Sequence, residues 1–268
     1  MSLQIETQGN GPDLVLVHGW GVNSGVWQPV LPLLRQHYRV SCVDLPGHGA
    51  SRDVPMPSTL EAVAQQVLQV TPMSAVWLGW SLGGLICMQI AIQAAARVRA
   101  LVLSNVTPRF VMAPDWPHAM PPHQLEAFAA ELAGDFAGTV RRFLGLQVLG
   151  DERARDTLPV LRDSVRARGA PDTVSLSVAL DILRDSDLRG ELHRINVPTL
   201  VMSGAYDRLT PALAGQFIAS RIPGAEFSCF PRTAHAPFIS HPADFLRMLN
   251  GFVQTAVSNS NQSHDHAN

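Results

Sequence analysis

The sequence predicts an α/β fold, a mostly parallel central sheet flanked by helices on both faces and carrying an inserted all-helical segment. Short apolar runs rich in Val, Leu and Ile alternate with longer helical patterns, as repeated βα units do. Several of these runs are apolar on both faces, which suits strands buried between two helical layers. The alternation lapses between about Val111 and Arg189, where only helical patterns occur. With 268 residues, 46% of them hydrophobic, the chain can bury one large core and support a smaller insertion.

The elements follow in order. "LQIET" (3–7) and the almost wholly apolar "DLVLVH" (13–18) read as strands, followed by a helical pattern over 25–36. "YRVSCVD" (38–44) is the next strand, and 59–70 the next helix. "AVWLGW" (75–80) is continuously apolar and leads into a helical pattern over 82–96; "RALVLSN" (99–105) follows. The insertion opens with the proline-rich "APDWPHAMPPH". It continues with Phe128, Leu132, Phe136, Val140, Phe143 and Leu144 at three-to-four-residue spacing, one apolar helical face. "PTLVMSG" (198–204), a helix over 212–220, "EFSCF" (226–230) and a helix over 240–254 complete the chain. Residues 1–110 and 189–256 are thus expected to form the core and 111–188 a lid over the sheet's carboxyl edge. The polar tail, 257–268, is expected to be disordered, with His264 and His266 solvated rather than binding a metal.

The net charge of −2 gives no general case for nucleic-acid or membrane binding, and all 20 basic residues are Arg. Cys42, Cys87 and Cys229 are odd in number and lack metal-ligand spacing, so they read as buried free thiols in a reducing compartment. The N-terminus "MSLQIETQGNG" has neither a charged n-region nor an apolar h-region, and no run of about 18 apolar residues exists. A cytoplasmic monomer is the expectation.

Gly79-Trp80-Ser81-Leu82-Gly83 matches G-x-S-x-G at a strand-to-helix junction. Such a turn can be a plain glycine turn, or it can thrust a nucleophilic hydroxyl above the sheet edge. In the second case the Leu82 N–H, at a helix N-terminus, stabilises developing negative charge. A nucleophilic serine needs a base and an orienting carboxylate. His235, in "RTAHAPFISHP" after the last strand, suits the base; His241 and His193 read as structural or exposed, and His37, His118 and His123 as surface or loop residues. Asp207, in "SGAYDRLTP" after the penultimate strand, suits the acid, and the order Ser81…Asp207…His235 fits the motif. A second oxyanion donor is expected from "LVHGWG" (16–21), through the Trp20 N–H, with His18 stabilising the loop. "DLPGHGAS" (44–51) reads as scaffold, since it lacks the lysine of a phosphate loop.

Taken together, "HGWG", "DLPGHGAS", "WLGWSLGG" and "AHAPFISHPADF" resemble the α/β-hydrolase superfamily. Within it, the chain is most similar to the pimeloyl-acyl-carrier-protein methyl ester esterases of biotin synthesis, up to about residue 255. The resemblance implies an α/β-hydrolase fold and a serine carboxylesterase with Ser81 as nucleophile, Asp207 as acid and His235 as base, needing no metal or organic cofactor. It implies that Trp20 and Leu82 supply the oxyanion N–H groups and line the acyl pocket, and that Phe143 in "RRFLGLQ" closes the channel. It also implies that an acyl carrier protein is the partner, contacted by Arg142 and Arg155.

From Arg141 to Arg168 there are seven arginines against four acidic residues, net +3 in a chain whose total is −2. That balance suits either a solvated helix face or a surface for an acidic partner. Gly138 and Pro159 stand where the resemblance implies further arginines, so docking is expected to be weaker, or rearranged through Arg141 or Arg162. The residues themselves leave open a short-chain esterase or lipase, a carbon–carbon bond hydrolase, or a non-catalytic ligand-binding scaffold. Dehalogenases and epoxide hydrolases are disfavoured, because they carry Asp where Ser81 stands.

Overall fold

The computed structural model describes residues 2–265, with side chains through residue 256 except that of Ala133. Its seven strands are β1 (Ile5–Gln8), β2 (Asp13–Val17), β3 (Arg39–Val43), β4 (Ala75–Trp80), β5 (Val98–Ser104), β6 (Thr199–Gly204) and β7 (Glu226–Phe230). They form one sheet in the order β1-β3-β2-β4-β5-β6-β7, and only the β1–β3 pairing is antiparallel. Every residue of β4 and β6 is buried, which is why those runs are apolar on both faces. Cys42 and Cys87 are buried; Cys229, expected to be buried too, is exposed, because β7 is an edge strand with one face only partly covered.

Helices α1 (Leu31–Leu34), α2 (Leu60–Val70), α3 (Leu82–Gln93), α8 (Ala212–Arg221), α9 (Pro237–Ser240) and α10 (Pro242–Asp265) belong to the sheet layers. In α2 the buried positions Leu60, Val63, Ala64, Val67 and Leu68 form one stripe, and the Thr59 hydroxyl accepts the Ala62 N–H as N-cap. The continuous helix expected over 25–36 is instead a 3₁₀ turn, Ser24–Trp27, followed by α1. Pro29 and Pro32 remove backbone donors there, and proline does not fit a helix interior. The helix expected over 240–254 is present but starts two residues later, at Pro242, because the residue before a proline, His241, is pushed out of the α region and ends the short α9. The backbone of α10 continues to Asp265, into the segment expected to be disordered; extending a packed helix avoids a fresh nucleation cost. The tail side chains, including His264, and residues 266–268 with His266 lie outside those described.

Between β5 and β6 lie α4 (Pro122–Gly134), α5 (Phe136–Gln147), α6 (Ala154–Ala167) and α7 (Thr173–Asp185), with no sheet strand among them. The two ends of this insertion run side by side. The Leu188 N–H donates to Pro108 O at 2.8 Å, and Arg109 pairs with Asp187 at 2.8 Å. The insertion stands on the loops after β2 and β3. Trp20 Nε1 donates to Leu176 O (3.0 Å), Asn23 Nδ2 to Ser164 O (2.8 Å) and Asp172 N to Gly47 O (2.7 Å). Arg168 reaches down to Glu6 and to Asp44.

Candidate active site

The strand order reverses direction around β2 and β4, which are neighbours with Val17 opposite Gly79. In open α/β sheets the crevice at the carboxyl ends of such strands is where ligands bind. Two loops meet there: Gly19–Trp20 follows β2, and Ser81 follows β4. Ser81 adopts φ 57°, ψ −121°, a region that side chains other than glycine rarely occupy, and it immediately precedes α3. Strain of this kind, about 1–3 kcal/mol, persists only where the surroundings enforce it. Here two glycines do so by close approach: a Cβ at Gly79 would lie 2.5 Å from Gly83 O, and one at Gly83 only 2.2 Å from Val17 O. Leu82, buried, is the first residue of α3, so its N–H lies outside the helical ladder.

Asp207 and His235 are both almost fully buried, and His235 Nδ1 lies 2.7 Å from Asp207 Oδ2. The carboxylate is well provided with donors: Leu209 N (2.9 Å) and Thr210 N (3.0 Å) to Oδ1, and Thr210 Oγ1 (2.6 Å) and Asn105 Nδ2 (2.8 Å) to Oδ2. Burial alone would raise its pKa; the neighbouring His235 and the bonds from His235 and Thr210 outweigh this and hold the carboxyl below the usual range. With Nδ1 donating to a carboxylate, the other nitrogen, Nε2, is the acceptor; it is buried with no partner in the protein. Ser81 is the residue after Trp80, whose ring lies 5.4 Å from the His235 ring and whose Nε1 donates to His235 O at 2.7 Å.

Trp20 is buried and packs edge-on against Phe143 of α5, centroids 4.7 Å apart; Phe143 in turn meets Phe128 of α4 at 5.8 Å. Gly19 lies against the serine, since a Cβ on it would be 3.1 Å from Ser81 Cβ. Ser81, Asp207, His235, Trp20, Leu82 and Phe143 therefore all gather around the carboxyl edge. Arg142 and Arg155 lie apart on the insertion's outer surface. Arg142 pairs with Glu131 at 2.6 Å and Asp135 at 3.7 Å, whereas Arg155 is exposed with no ion-pair partner among the described residues. His241 is structural as expected, bonded to Ser240 Oγ and Glu152 Oε1, each at 2.9 Å. Among the described residues no group of three His, Cys, Asp or Glu is disposed to hold a metal ion.

Sequence reading missed four residues that serve this site. Asn105, at φ 50° directly after β5, donates to both Asp207 and Ala234 O (3.0 Å). Its signal was a polar residue at the carboxyl end of an apolar strand. Thr210, three residues after Asp207, carried the signal of a side chain positioned to bond back locally. Gln147, the last residue of α5, and Asp151, in the loop that follows it, hold the histidine loop from above: His235 N donates to Gln147 O and Ala234 N to Asp151 Oδ2, each at 2.9 Å. That contact spans more than 80 residues and left no local pattern.

A family profile described as the α/β hydrolase fold matches residues 12–242. Relatives named pimeloyl-(acyl-carrier protein) methyl ester esterase are 43% identical in Photobacterium profundum, covering 93% of this chain and 97% of that one. The relative of that name in Nitrosomonas europaea is 43% identical, covering 91% and 97%. Among solved structures, a hydrolase from Pseudomonas aeruginosa superposes with a TM-score of 0.79 at 30% identity, covering 94% of each chain. An esterase from Exiguobacterium antarcticum, at TM-score 0.84 and 23% identity over 94% of this chain and 95% of that one, shares the fold. The chain belongs to the α/β-hydrolase family, in the group whose curated relatives carry the name pimeloyl-(acyl-carrier protein) methyl ester esterase.

Proposed function

We propose that this chain is a serine carboxylesterase that hydrolyses the methyl ester of pimeloyl-acyl carrier protein, releasing methanol and leaving a free carboxylate. The observation that carries the chemistry is the buried Asp207–His235 pair, with Nε2 unpartnered beside the strained Ser81 turn. Ser81 Oγ attacks the ester carbonyl while His235 Nε2 takes its proton. The carbonyl oxygen becomes an oxyanion, held by the backbone N–H groups of Trp20 and Leu82. As the tetrahedral intermediate collapses, the C–O bond to methoxide breaks and His235 returns the proton, so methanol leaves. Water, deprotonated by His235, then attacks the acyl-enzyme; its second collapse frees the acid and restores Ser81. Asp207 stays ionised and fixes the imidazole with its proton on Nδ1, which agrees with its depressed pKa.

Residues 111–188 act as the lid, with Phe143 and Trp20 forming the apolar wall over the reacting ester. The relatives' names support the substrate, and the lid's charge suits an acidic carrier. Arg155 is free to meet it, while Arg142 must exchange Glu131 for the partner. Arg141, Arg162 and Arg166 rim an apolar groove of about 400 Å³ between α5 and α6, floored by Val140, Leu144 and Val165, and add to that surface. A cytoplasmic monomer fits this role, and among the described residues no helix is long and apolar enough to cross a membrane.

The test compares turnover of pimeloyl-acyl carrier protein methyl ester and of p-nitrophenyl butyrate by wild type, Ser81→Ala and Arg142→Glu with Arg155→Glu. Ser81→Ala should abolish both activities, and the charge reversal should raise KM for the carrier-linked ester alone. Retained hydrolysis in Ser81→Ala would refute the mechanism; equal effects of the arginine changes on both esters would refute the docking surface.

A further inference from the structure

Two histidines outside the triad, His18 and His48, are fully buried with their rings 5.3 Å apart. His18 belongs to the loop after β2 and His48 to the glycine-rich "DLPGHGAS" loop after β3. Their hydrogen bonds are reciprocal. The His18 ring bonds Gly19 O of its own loop through Nδ1 (2.8 Å), and its Nε2 takes the Leu45 N–H of the other loop (3.0 Å). The His48 ring bonds Pro46 O of its own loop through Nδ1 (2.8 Å), and its Nε2 takes the Gly21 N–H of the other loop (3.4 Å).

These partners fix both tautomers. A backbone N–H can only donate, so each Nε2 is an unprotonated acceptor; a carbonyl can only accept, so each Nδ1 carries the proton. Both rings are thus neutral, in agreement with burial, which lowers the pKa of His18 and takes that of His48 down to about 3. The groups they grip bracket one residue: Gly19 O precedes Trp20 and Gly21 N follows it. In a trans peptide the C=O and N–H point to opposite sides. Holding Gly19 O against the His18 ring therefore turns the Trp20 N–H away from it. Donating to that carbonyl also polarises the same peptide, which strengthens its N–H as a donor.

We propose that His18 and His48 are positioning residues for the ester hydrolysis, a paired clamp that aims the Trp20 N–H at the developing oxyanion. The inference rests on the reading of Trp20 as an oxyanion donor, and it gives a task to the "DLPGHGAS" motif beyond scaffolding. Neither ring touches substrate. Both act through the Gly19–Trp20–Gly21 backbone.

The test uses the full chain, p-nitrophenyl butyrate, and butylboronic acid as a probe that forms a tetrahedral anion on the serine. His18→Leu and His48→Leu should lower kcat by about 10- to 100-fold with little change in KM, since outright loss of an oxyanion donor costs about 10²–10³. Boronate affinity should fall in parallel. Rescue should be position-specific: His18→Asn, whose amide can donate where Nδ1 did, and His48→Gln, whose amide oxygen can accept where Nε2 did, should recover most of kcat. If the leucine variants do not fold, the crossed variants His18→Gln and His48→Asn carry the test; they should be slow where His18→Asn and His48→Gln are fast. Unchanged kcat and boronate affinity in folded leucine variants, or equal rates in matched and crossed amide variants, would overturn the clamp. Wild type that neither hydrolyses the ester nor binds the boronate would instead overturn the serine-esterase reading itself.

Discussion

Gly83→Ala isolates the geometry on which the site depends. The added methyl would lie 2.2 Å from Val17 O and 2.6 Å from His18 O, whereas real Cβ contacts essentially never fall under 3.0 Å. Both opposing atoms are backbone, so no rotamer change relieves the overlap. α3 must retreat from β2 by about 0.8 Å, the difference between 3.0 and 2.2 Å. Overpacking of this kind costs about 1–3 kcal/mol. For a chain of this size that lowers Tm by roughly 2–12 °C, at about 2–4 °C per kcal/mol. The same retreat separates the loop carrying Trp20 from the turn carrying Ser81 and Leu82, and a misplacement near 1 Å costs about 10²-fold in rate. Hydrolysis of p-nitrophenyl butyrate and thermal melting of the same preparation read the two effects together. Gly145→Ala is the matched control: a Cβ there meets nothing within 4 Å inside α5, so it should raise stability by about 0.5–1 kcal/mol and leave kcat unchanged. Wild-type kcat/KM and Tm in Gly83→Ala would refute the reasoning.

Two further outcomes are expected. Asn105→Gly keeps the positive φ but removes a donor from Asp207, so kcat should fall by about tenfold at near-constant KM and stability by about 1–3 kcal/mol; unchanged kinetics would remove Asn105 from the site. Acid should destabilise the fold in two stages. His48 titrates at about 3 when folded against its usual 6.5, so between those values the unfolded chain binds a proton that the native one does not. Its contribution falls with pH and amounts to a loss of about 2 kcal/mol by pH 5, 1.5 units below the usual value. Asp44 and Asp207, both held below the usual carboxylate pKa of 3.8 against the opposing effect of burial, stabilise above that value and lose their contribution as pH falls through their lower folded values. Urea midpoints between pH 8 and 3 check this, and a flat midpoint from pH 7 to 5 would contradict it.

The seven strands were legible because they are short runs set between turn residues, most of them apolar; β4 and β6 are buried end to end. Helix limits were less so. Pro29 divided one expected helix and Pro242 moved the start of another, where apolar periodicity outweighed the local proline constraint. Of the site, the candidates carried by motifs were readable: Ser81 between glycines, with Asp207 and His235 each in a loop after a strand. The residues that hold those side chains were not. Asn105 meets Asp207 across 102 positions, and Asp151 meets Ala234 across 83, so no local spacing announces either contact. His18 and His48 were visible as motif letters, but only the meeting of two loops reveals their reciprocal bonding.

The segment from Gln147, the last residue of α5, to Glu152 makes the helical insertion more than an interchangeable cap. Gln147 O and Asp151 Oδ2 secure the backbone on either side of the Ala234–His235 bond, and the Glu152 N–H donates to Arg232 O at 3.1 Å. Grafting a foreign cap across residues 111–188 would therefore unmoor the His235 imidazole while leaving Ser81, Asp207 and His235 themselves unchanged. A chimera that retains 147–152 and exchanges only the flanking helices keeps that mooring. For engineering substrate scope, the movable boundary lies on either side of this hexapeptide.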